Sequence, residues 1–273
     1  MKGRVLIVAG SDSGGGAGVQ ADIKTITALS GFATTAITAL TAQNTLGVYD
    51  VFPVGVEFIQ TQMRVVLNDI GADSLKTGML HSPEVIDAVC AVLETEAAGI
   101  PVVVDPVMIA KGGASLLSTD AVATLRDRLL PLAQVITPNI PETEEILGRE
   151  TGTLKTVEDM KAAAEALKAM GPGAVLVKGG HMEGGALTDV LLDDNGFYLF
   201  ETQRIDTKHT HGTGCTLASS IATGIAQGLT LPKAVGRAQA YVVAAIKAAP
   251  GFGAGNGPID HCHTVAPFEG RQP

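Results

Sequence analysis

The residues best suited to chemistry form a glycine-rich turn directly before a run of small residues at 216–222: Gly212, Thr213, Gly214 and Cys215. The glycines permit tight backbone geometry, and the segment after them is predicted to be a helix. Such a turn directs unpaired backbone N–H groups and the positive end of a helix dipole to one place. That place binds phosphate, and it stabilises the charge that develops in phosphoryl transfer. A thiol in a first helical turn loses its proton more readily, so we expect Cys215 to be reactive and the protein to be an enzyme.

Two carboxylates follow neighbouring segments that are predicted to be buried strands. Asp105 ends the valine-rich run 102–105, and Glu142 comes shortly after the run 134–137. Carboxylate oxygens suit the hard cation Mg²⁺, which keeps several of its waters in proteins, so we expect a magnesium site here. Asn139 and Glu142 also have the spacing of a helix N-cap and its third residue. The two interpretations are compatible, and the sequence leaves both open.

A second glycine-rich loop, residues 10–18, follows the first predicted strand. It is not a P-loop, because the chain contains no Gly-Lys-Ser or Gly-Lys-Thr sequence. A dinucleotide fingerprint fits poorly as well, since no acidic residue closes the second strand near Ala39. We therefore expect phosphate binding mainly at the later turn, residues 212–215.

Predicted buried strands alternate with predicted helices along the chain, which is typical of an α/β fold with a mostly parallel sheet and helices on both faces, in three layers. No linker or internal repeat interrupts this pattern, so we expect one domain over residues 1–273. In open parallel sheets ligands bind at the carboxyl ends of the strands, where the residues above fall. The predicted strands are 4–9, 33–40, 74–77, 102–105, 134–137 and 174–178, with a hairpin of 188–192 and 197–202. The predicted helices are 18–29, 56–69, 83–97, 119–129, 141–147, 157–170, 213–227 and 232–248.

Composition excludes several classes of protein. The net charge of −9 argues against a nucleic-acid partner. Three cysteines that are far apart do not form a disulfide framework, and Cys262 with its two histidine neighbours lacks an evident fourth zinc ligand. No apolar run has the length of a membrane span. We therefore expect no membrane association, and we expect a cytoplasmic location.

The chain resembles the hydroxymethylpyrimidine/phosphomethylpyrimidine kinases of the ribokinase-like superfamily. Six blocks carry the resemblance in the family's order across nearly the whole chain: 10–22, 42–45, 76–80, 105–108, 137–142 and 212–215. The resemblance implies a ribokinase-like fold, two successive phosphorylations of the pyrimidine precursor of thiamine, ATP and Mg²⁺ as cofactors, and a homodimer.

The resemblance also assigns roles to individual residues. Gly212, Thr213 and Gly214 donate backbone N–H groups to the transferring phosphoryl group. Cys215 stands where related sugar kinases carry aspartate, and we interpret it as the general base for the substrate hydroxyl. Lys178 resembles the lysine that contacts the nucleotide phosphates. Asn139 and Glu142 resemble the motif that organises the metal near the nucleotide.

The pyrimidine-binding residues are predicted from their chemistry within these blocks. The amide of Gln43 donates and accepts together, which matches an aminopyrimidine edge. Asp22 is expected to reach the hydroxymethyl group, and Gly10 to allow close approach of the ring. Met79 and Val107 would line a flat apolar slot, although ordinary core packing explains them equally well.

Two further hypotheses remain open. The first is a pyridoxal or pyridoxine kinase, since relatives share the scaffold and the turn at 212–215. The second is a non-catalytic vitamin-binding protein, which the presence of Asp105, Glu142, Lys178 and Cys215 disfavours. The basic turn at 111–113 is a further candidate for closing over phosphate.

Overall fold

A central sheet of mostly parallel strands dominates the fold. This computed structural model describes residues 2–108, 119–180 and 186–270. The strands in these residues are β1 (Arg4–Asp12), β2 (Phe32–Gln43), β3 (Val48–Pro53), β4 (Ser74–Thr77), β5 (Val102–Val104), β6 (Val135–Ile136), β7 (Val175–Val177), β8 (Ala186–Asp193) and β9 (Gly196–Gln203). They form one sheet in the order β3-β2-β1-β4-β5-β6-β7-β8-β9. The six strands from β2 to β7 in this order run parallel. Strands β3, β8 and β9 pair antiparallel with their neighbours, and β3 and β9 form the two edges of the sheet.

Helices cover both faces of this sheet, which confirms the predicted three-layer α/β architecture. Buried side chains of α2, α3 and α6 pack on one face, and those of α1, α7 and α8 pack on the other. The helices of the described residues are α1 (Gly18–Ala28), α2 (Val56–Asp69), α3 (Pro83–Glu94), α4 (Thr119–Thr124), α5 (Ile140–Ile146), α6 (Val157–Lys168), α7 (Thr213–Ala226) and α8 (Leu231–Lys247). A single turn of π-helix, Leu125–Leu129, continues α4.

Strand β1 shows why a continuous apolar run becomes a central strand here. Successive side chains of a strand point to opposite faces of the sheet. Val5 and Ile7 accordingly join the core on the side of α1 and α7, while Leu6 and Val8 join the core on the side of α2 and α3. All four are fully buried, so apolar residues are needed on both faces.

Helix starts follow the sequence closely because local hydrogen bonds determine them. The Ser82 side chain accepts from the backbone N–H of Val85 at the start of α3, where Pro83 takes the first position. Thr156 and Asp159 form a reciprocal capping box at the start of α6.

Among the residues that the structure describes, no helix is both long and apolar enough to cross a membrane.

One strand differs from the sequence prediction. The hairpin around 194–196 is confirmed as β8 and β9, but β3 was not predicted. Its residues are half-buried or exposed, so it lacks the apolar pattern of a core strand and depends on pairing with β2. The basic turn at 111–113 lies outside the described residues, and the single domain over 1–273 stays a prediction.

Candidate active site

A cavity of about 790 Å³ collects nearly all the predicted site residues at the carboxyl ends of the parallel strands. This is where an open α/β sheet binds its ligands, and the volume suits a cofactor-sized molecule. The predicted residues that line it are Gly10, Gln43, Met79, Asp105, Val107, Asn139, Glu142, Lys178, Gly212, Thr213, Gly214 and Cys215. Asp22 is the exception among the predicted residues.

The start of α7 forms a concentrated donor site in this cavity. Gly212 precedes the helix with a left-handed φ of 87°, and no side chain caps the helix. A Cβ at Gly212 would lie 1.8 Å from the carbonyl oxygen of Gly16, so glycine is required by both conformation and space. The first N–H groups of a helix lack acceptors within it, and here Thr213 and Gly214 line the cavity. The arrangement is suited to a phosphoryl group, as the sequence predicts.

The glycine-rich loop after β1 is folded around a carboxylate. Asp12 is almost completely buried and accepts N–H bonds from Gly14 at 2.8 Å, Gly16 at 3.1 Å and Ala17 at 2.8 Å. It also accepts a bond of 2.8 Å from Nε2 of His211, just before α7. Burial alone raises the pKa of Asp12, but His211 and the N–H groups outweigh it and hold the pKa below its usual value. These loop N–H groups are therefore already occupied by Asp12.

Lys178 and two carboxylates form a charged cluster on the opposite side of the cavity. Nζ of Lys178 lies 3.1 Å from Oδ1 of Asp105 and 3.9 Å from Oε2 of Glu142. Burial opposes the charge of Lys178, yet Asp105 and Glu142 outweigh it and raise the lysine pKa. Burial raises the pKa of Glu142, against the attraction of Lys178. Two carboxylates thus share one ammonium group.

Asn139 and Glu142 confirm the capping interpretation of their spacing. Oδ1 of Asn139 accepts from the Glu142 N–H at 2.9 Å, and Oε2 of Glu142 accepts from the Asn139 N–H at 2.8 Å. The box starts α5 and fixes Glu142 where it also lines the cavity. The capping role of Glu142 is therefore compatible with its predicted role as a metal ligand.

The donor set of this cluster fits Mg²⁺. Its ligands would be oxygens, and its two carboxylates carry more negative charge than Lys178 neutralises. Among the described residues no cluster of three or more histidine, cysteine or acidic side chains is arranged to hold a metal. Few protein ligands, completed by water and phosphate, are typical of Mg²⁺ sites.

Gln43 is held in place at both ends of its amide. Its nitrogen position lies 3.4 Å from Nε2 of His211, and its oxygen position lies 3.1 Å from Oγ1 of Thr41. Nε2 of His211 carries a hydrogen, because it donates to the acceptor-only carboxylate of Asp12. The Thr41 hydroxyl donates to the carbonyl of Ser11 at 2.9 Å and can therefore accept a bond. We accordingly assign the amide oxygen toward His211 and the NH₂ group toward Thr41.

Gly10, Met79 and Val107 line the same cavity as Gln43. A Cβ at Gly10 would lie 2.5 Å from Cε of Met79, so only glycine leaves room for this side chain. Val107 has a φ of +39°, which is strained for a β-branched residue. Such strain collects at functional sites, where the surrounding structure enforces it.

Asp22 requires a correction. Its side chain is fully buried, with both oxygens accepting from Nζ of Lys76 at 3.0 and 2.9 Å. The Ser219 hydroxyl donates to Oδ1 of Asp22 at 2.7 Å. The predicted contact with the substrate hydroxymethyl group is therefore wrong for this geometry, because Asp22 lies behind the cavity wall. Its neighbour Lys76, which the sequence did not single out, lines the cavity instead.

The expected acidity of Cys215 is also wrong. The thiol lies at the cavity in the first turn of α7, as predicted. However, burial raises its pKa from 9.0 to about 11, and neither Lys76 nor the Gly18 N–H compensates. Desolvation of the thiolate outweighs the helix dipole here.

A further wall of the cavity was missed by sequence reasoning. It consists of apolar side chains from β8, the chain after β9 and helix α8: Leu187, Ile205, Val242, Val243 and Ile246. Asp189, which accepts the Gly179 N–H at 2.8 Å, and Gln239 stand in the same wall. Isolated aliphatic residues in separate elements carry no spacing signal, so only the fold brings them together.

Comparison with known proteins decides the family. The family model described as phosphomethylpyrimidine kinase matches residues 12–260. The chain belongs to this family. The thiamine biosynthesis bifunctional protein ThiED of Geobacter sulfurreducens is 50% identical over 95% of this chain, which spans 52% of that protein's length. The hydroxymethylpyrimidine/phosphomethylpyrimidine kinase of Bacillus subtilis is 46% identical, with 94% of each chain covered.

The fold of this member of the phosphomethylpyrimidine kinase family is also similar to the solved structure of a pyridoxal kinase. The ADP complex of a Bacillus subtilis pyridoxal kinase aligns with a TM-score of 0.88 and 35% identity, covering 96% of this chain and 98% of that one. The predicted ribokinase-like fold is thereby confirmed, and nucleotide binding is a property of a protein with nearly the same fold.

Proposed function

We propose that the protein transfers the γ-phosphoryl group of ATP to the hydroxymethyl oxygen of 4-amino-5-hydroxymethyl-2-methylpyrimidine, and then phosphorylates the monophosphate to the diphosphate for thiamine biosynthesis. The observation that carries the proposal is the position of the α7 N-terminus in one cavity. It lines the same cavity as Gln43 and Met79 and as the cluster of Lys178, Asp105 and Glu142. The names of the two relatives support the substrates and the pathway.

The first transfer needs positioning and charge stabilisation more than covalent chemistry. The hydroxymethyl oxygen bonds to the γ-phosphorus, and the bond from that phosphorus to the bridging oxygen breaks. ADP leaves with the bonding electron pair, and the hydroxyl proton passes to the thiolate of Cys215. Backbone N–H groups of Gly212, Thr213 and Gly214 stabilise the transferring group. In the second transfer an ionised oxygen of the monophosphate bonds to the γ-phosphorus, and ADP again leaves with the bonding electron pair; this oxygen carries no proton that Cys215 must accept.

The nucleotide would lie on the side of Lys178. Lys178, Asn139 and Thr213 all line the cavity, where they would face the ATP phosphates. Asp105 and Glu142 would hold Mg²⁺ through water, and the bound cation supplies positive charge against the phosphate oxygens. The apolar wall of α8 and β8 offers a surface for the base.

The pyrimidine would lie against Met79 and Val107, with its ring close to the backbone of Gly10. Gln43 would meet the amino-pyrimidine edge with hydrogen bonds that its fixed amide has left over. Because protein partners already hold both ends of this amide, it is ready to bind without losing rotamer freedom.

We also propose a homodimer and a cytoplasmic location. Strand β3 is an edge strand with exposed apolar side chains, among them Tyr49 and Phe52, and Leu40 and Phe58 are exposed close to it in sequence. Such an edge is a natural site for pairing with a second copy. The free thiols of all three cysteines and the use of ATP favour a reducing compartment.

The deciding experiment measures product formation by the purified protein with ATP and Mg²⁺. Hydroxymethylpyrimidine, its monophosphate and pyridoxal are offered in parallel, and the products are separated by chromatography. We expect turnover of both pyrimidines well above pyridoxal. Gln43→Leu is expected to raise KM for the pyrimidine, whereas Gln60→Leu, a glutamine on the distant helix α2, is the matched control.

A pyridoxal kinase is the second candidate, because the fold matches the Bacillus subtilis enzyme so closely. Turnover of pyridoxal alone would establish that function and remove Gln43 as the specificity residue. Absence of turnover with every substrate, together with binding of the pyrimidine, would instead indicate a non-catalytic vitamin-binding protein.

A further inference from the structure

Lys76 is a completely buried lysine near the carboxyl end of an interior strand of the sheet. It lies on β4 with no exposed surface, and the hydrogen bonds of its Nζ go to both oxygens of Asp22. Removing two charges from water is costly, and an apolar pair of similar volume often stabilises a protein as well or better. The pair therefore needs an explanation beyond stability.

The surroundings of Lys76 connect it with the thiol of Cys215. Ser219, one helical turn after Cys215 on α7, donates to the same Asp22 carboxylate that holds the ammonium group. Lys76 and Cys215 also line the same cavity. A Cβ at Gly78 would lie 3.0 Å from Nζ of Lys76, so the glycine keeps room around the ammonium group.

The charges around Cys215 come from three elements. Asp22 on α1 and Asp105 after β5 both disfavour a thiolate, whereas Lys76 on β4 favours it. Lys76 in turn is affected by Asp22, Cys215 and Asp105, and remains charged because their attraction outweighs its burial. Lys76 is thus the positive member of the charged groups that act on the thiol.

We propose that Lys76 is a positioning residue of the phosphoryl transfer: its ammonium group, held by Asp22, stabilises the thiolate of Cys215 that accepts the hydroxyl proton. The inference rests on the proposed function for the identity of the proton donor. The proton moves from the substrate hydroxyl to Sγ, the thiolate becomes a thiol, and Lys76 stays protonated throughout. Lys76 thereby offsets part of the burial that disfavours the thiolate.

The test measures how fast iodoacetamide alkylates Cys215 as a function of pH, with the modified peptide quantified by mass spectrometry. Lys76→Met removes the positive charge, so the pH midpoint of alkylation should rise by about one unit or more. Asp22→Asn leaves the ammonium group without its counter-charge, so the midpoint should fall. If the Lys76–Asp22 pair had only a structural role, both variants would loosen the same packing, and the pH midpoint of alkylation would shift in the same direction in both.

Three controls sharpen this comparison. Ser219→Ala removes a hydrogen bond to Asp22 but keeps both charges, so the Cys215 midpoint should stay close to that of the wild type. Cys262 is an exposed thiol in the same protein, and its rate of alkylation should be the same in every variant. If Lys76→Met does not fold, Asp22→Asn decides alone, and an unchanged or higher midpoint overturns the proposal.

Kinetics separate this inference from the proposed function. Lys76→Met should lower kcat at least about tenfold with little change in KM for the pyrimidine, and Lys76→Arg should recover part of the loss. The alkylation test uses no substrate, so it remains decisive even if the protein phosphorylates something other than the pyrimidine. Opposite shifts without pyrimidine turnover would uphold the charge effect and reject only the proposed substrate.

Discussion

His211 donates a hydrogen bond of 2.8 Å from Nε2 to Oδ2 of Asp12, which joins the two glycine-rich segments of the chain. Asp12 organises the loop after β1, and His211 directly precedes Gly212 at the start of α7. A Cβ at Gly16 would lie 2.4 Å from the His211 ring, so the segments are also in close contact. One carboxylate therefore holds together two sides of the cavity, the loop after β1 and the start of α7.

Replacing this carboxylate should disturb both sides together. Asp12→Ala removes the acceptor of four hydrogen bonds, and we expect the free energy of unfolding to fall by about 2–4 kcal/mol, since bonds to charged groups are strong and their buried donors lose a partner. KM should rise for both pyrimidine and ATP. Urea unfolding and steady-state kinetics measure these effects. Asp50→Ala, at an exposed position, is the control, and an equal loss there would contradict the organising role of Asp12.

Gly214→Ala should separate stability from activity. The new Cβ would lie 3.6 Å from both Oδ2 of Asp105 and Nζ of Lys178, in ordinary contact with the protein but within the space needed for a phosphoryl group. Alanine is the better helix former by about 1 kcal/mol, so Tm should be unchanged or higher. We expect kcat to fall about a hundredfold. Gly47→Ala, which meets no atom within 4 Å, should leave both unchanged, and an active Gly214→Ala enzyme would refute the predicted phosphoryl site.

The protonation of Cys215 should appear in the pH dependence of the first phosphorylation. Burial raises the pKa of this thiol to about 11, so the thiolate is a minor form near neutral pH and increases about tenfold per pH unit. If the thiolate is the base, kcat/KM should rise with pH in the same proportion up to about pH 9. Cys215→Ala should lose this pH dependence, and its rate should be lower by a factor of about 10²–10⁴. Cys262→Ser should keep the wild-type pH dependence and rate. A flat wild-type profile would assign the proton to another acceptor.

His261 should make the protein less stable in mild acid. The residue is buried, and Nε2 has no hydrogen-bond partner in the described part of the chain. Burial, with Lys24 nearby, lowers its pKa from 6.5 to about 4. Between these values the unfolded chain binds more protons, so the free energy of unfolding falls as the pH is lowered, in total by about 3 kcal/mol. His261→Gln should remove much of this dependence in urea titrations, whereas His263→Gln, half-buried two residues later, should retain it.

The sequence by itself determined the order and type of most elements, and it predicted which residues form the phosphate site. Helix starts such as Ser82 and the Asn139–Glu142 box depend on hydrogen bonds within four residues, and buried strands such as β5 are continuous apolar runs. The turn at 212–215 is equally local, because its glycines and the helix after it are contiguous. The parallel sheet then brings strand ends together, which is why most of the predicted residues share one cavity.

Only the tertiary structure decided what depends on distant neighbours. Asp22 became a buried partner of Lys76, and Cys215 became a weakly acidic thiol, because burial and charges from three elements act on them. Strand β3 forms because β2 offers it an edge, and the apolar wall of α8 and β8 assembles from residues far apart in the chain. Spacing in a sequence encodes local hydrogen bonds and periodic burial, but desolvation and Coulomb interactions depend on distances that exist only in the folded chain.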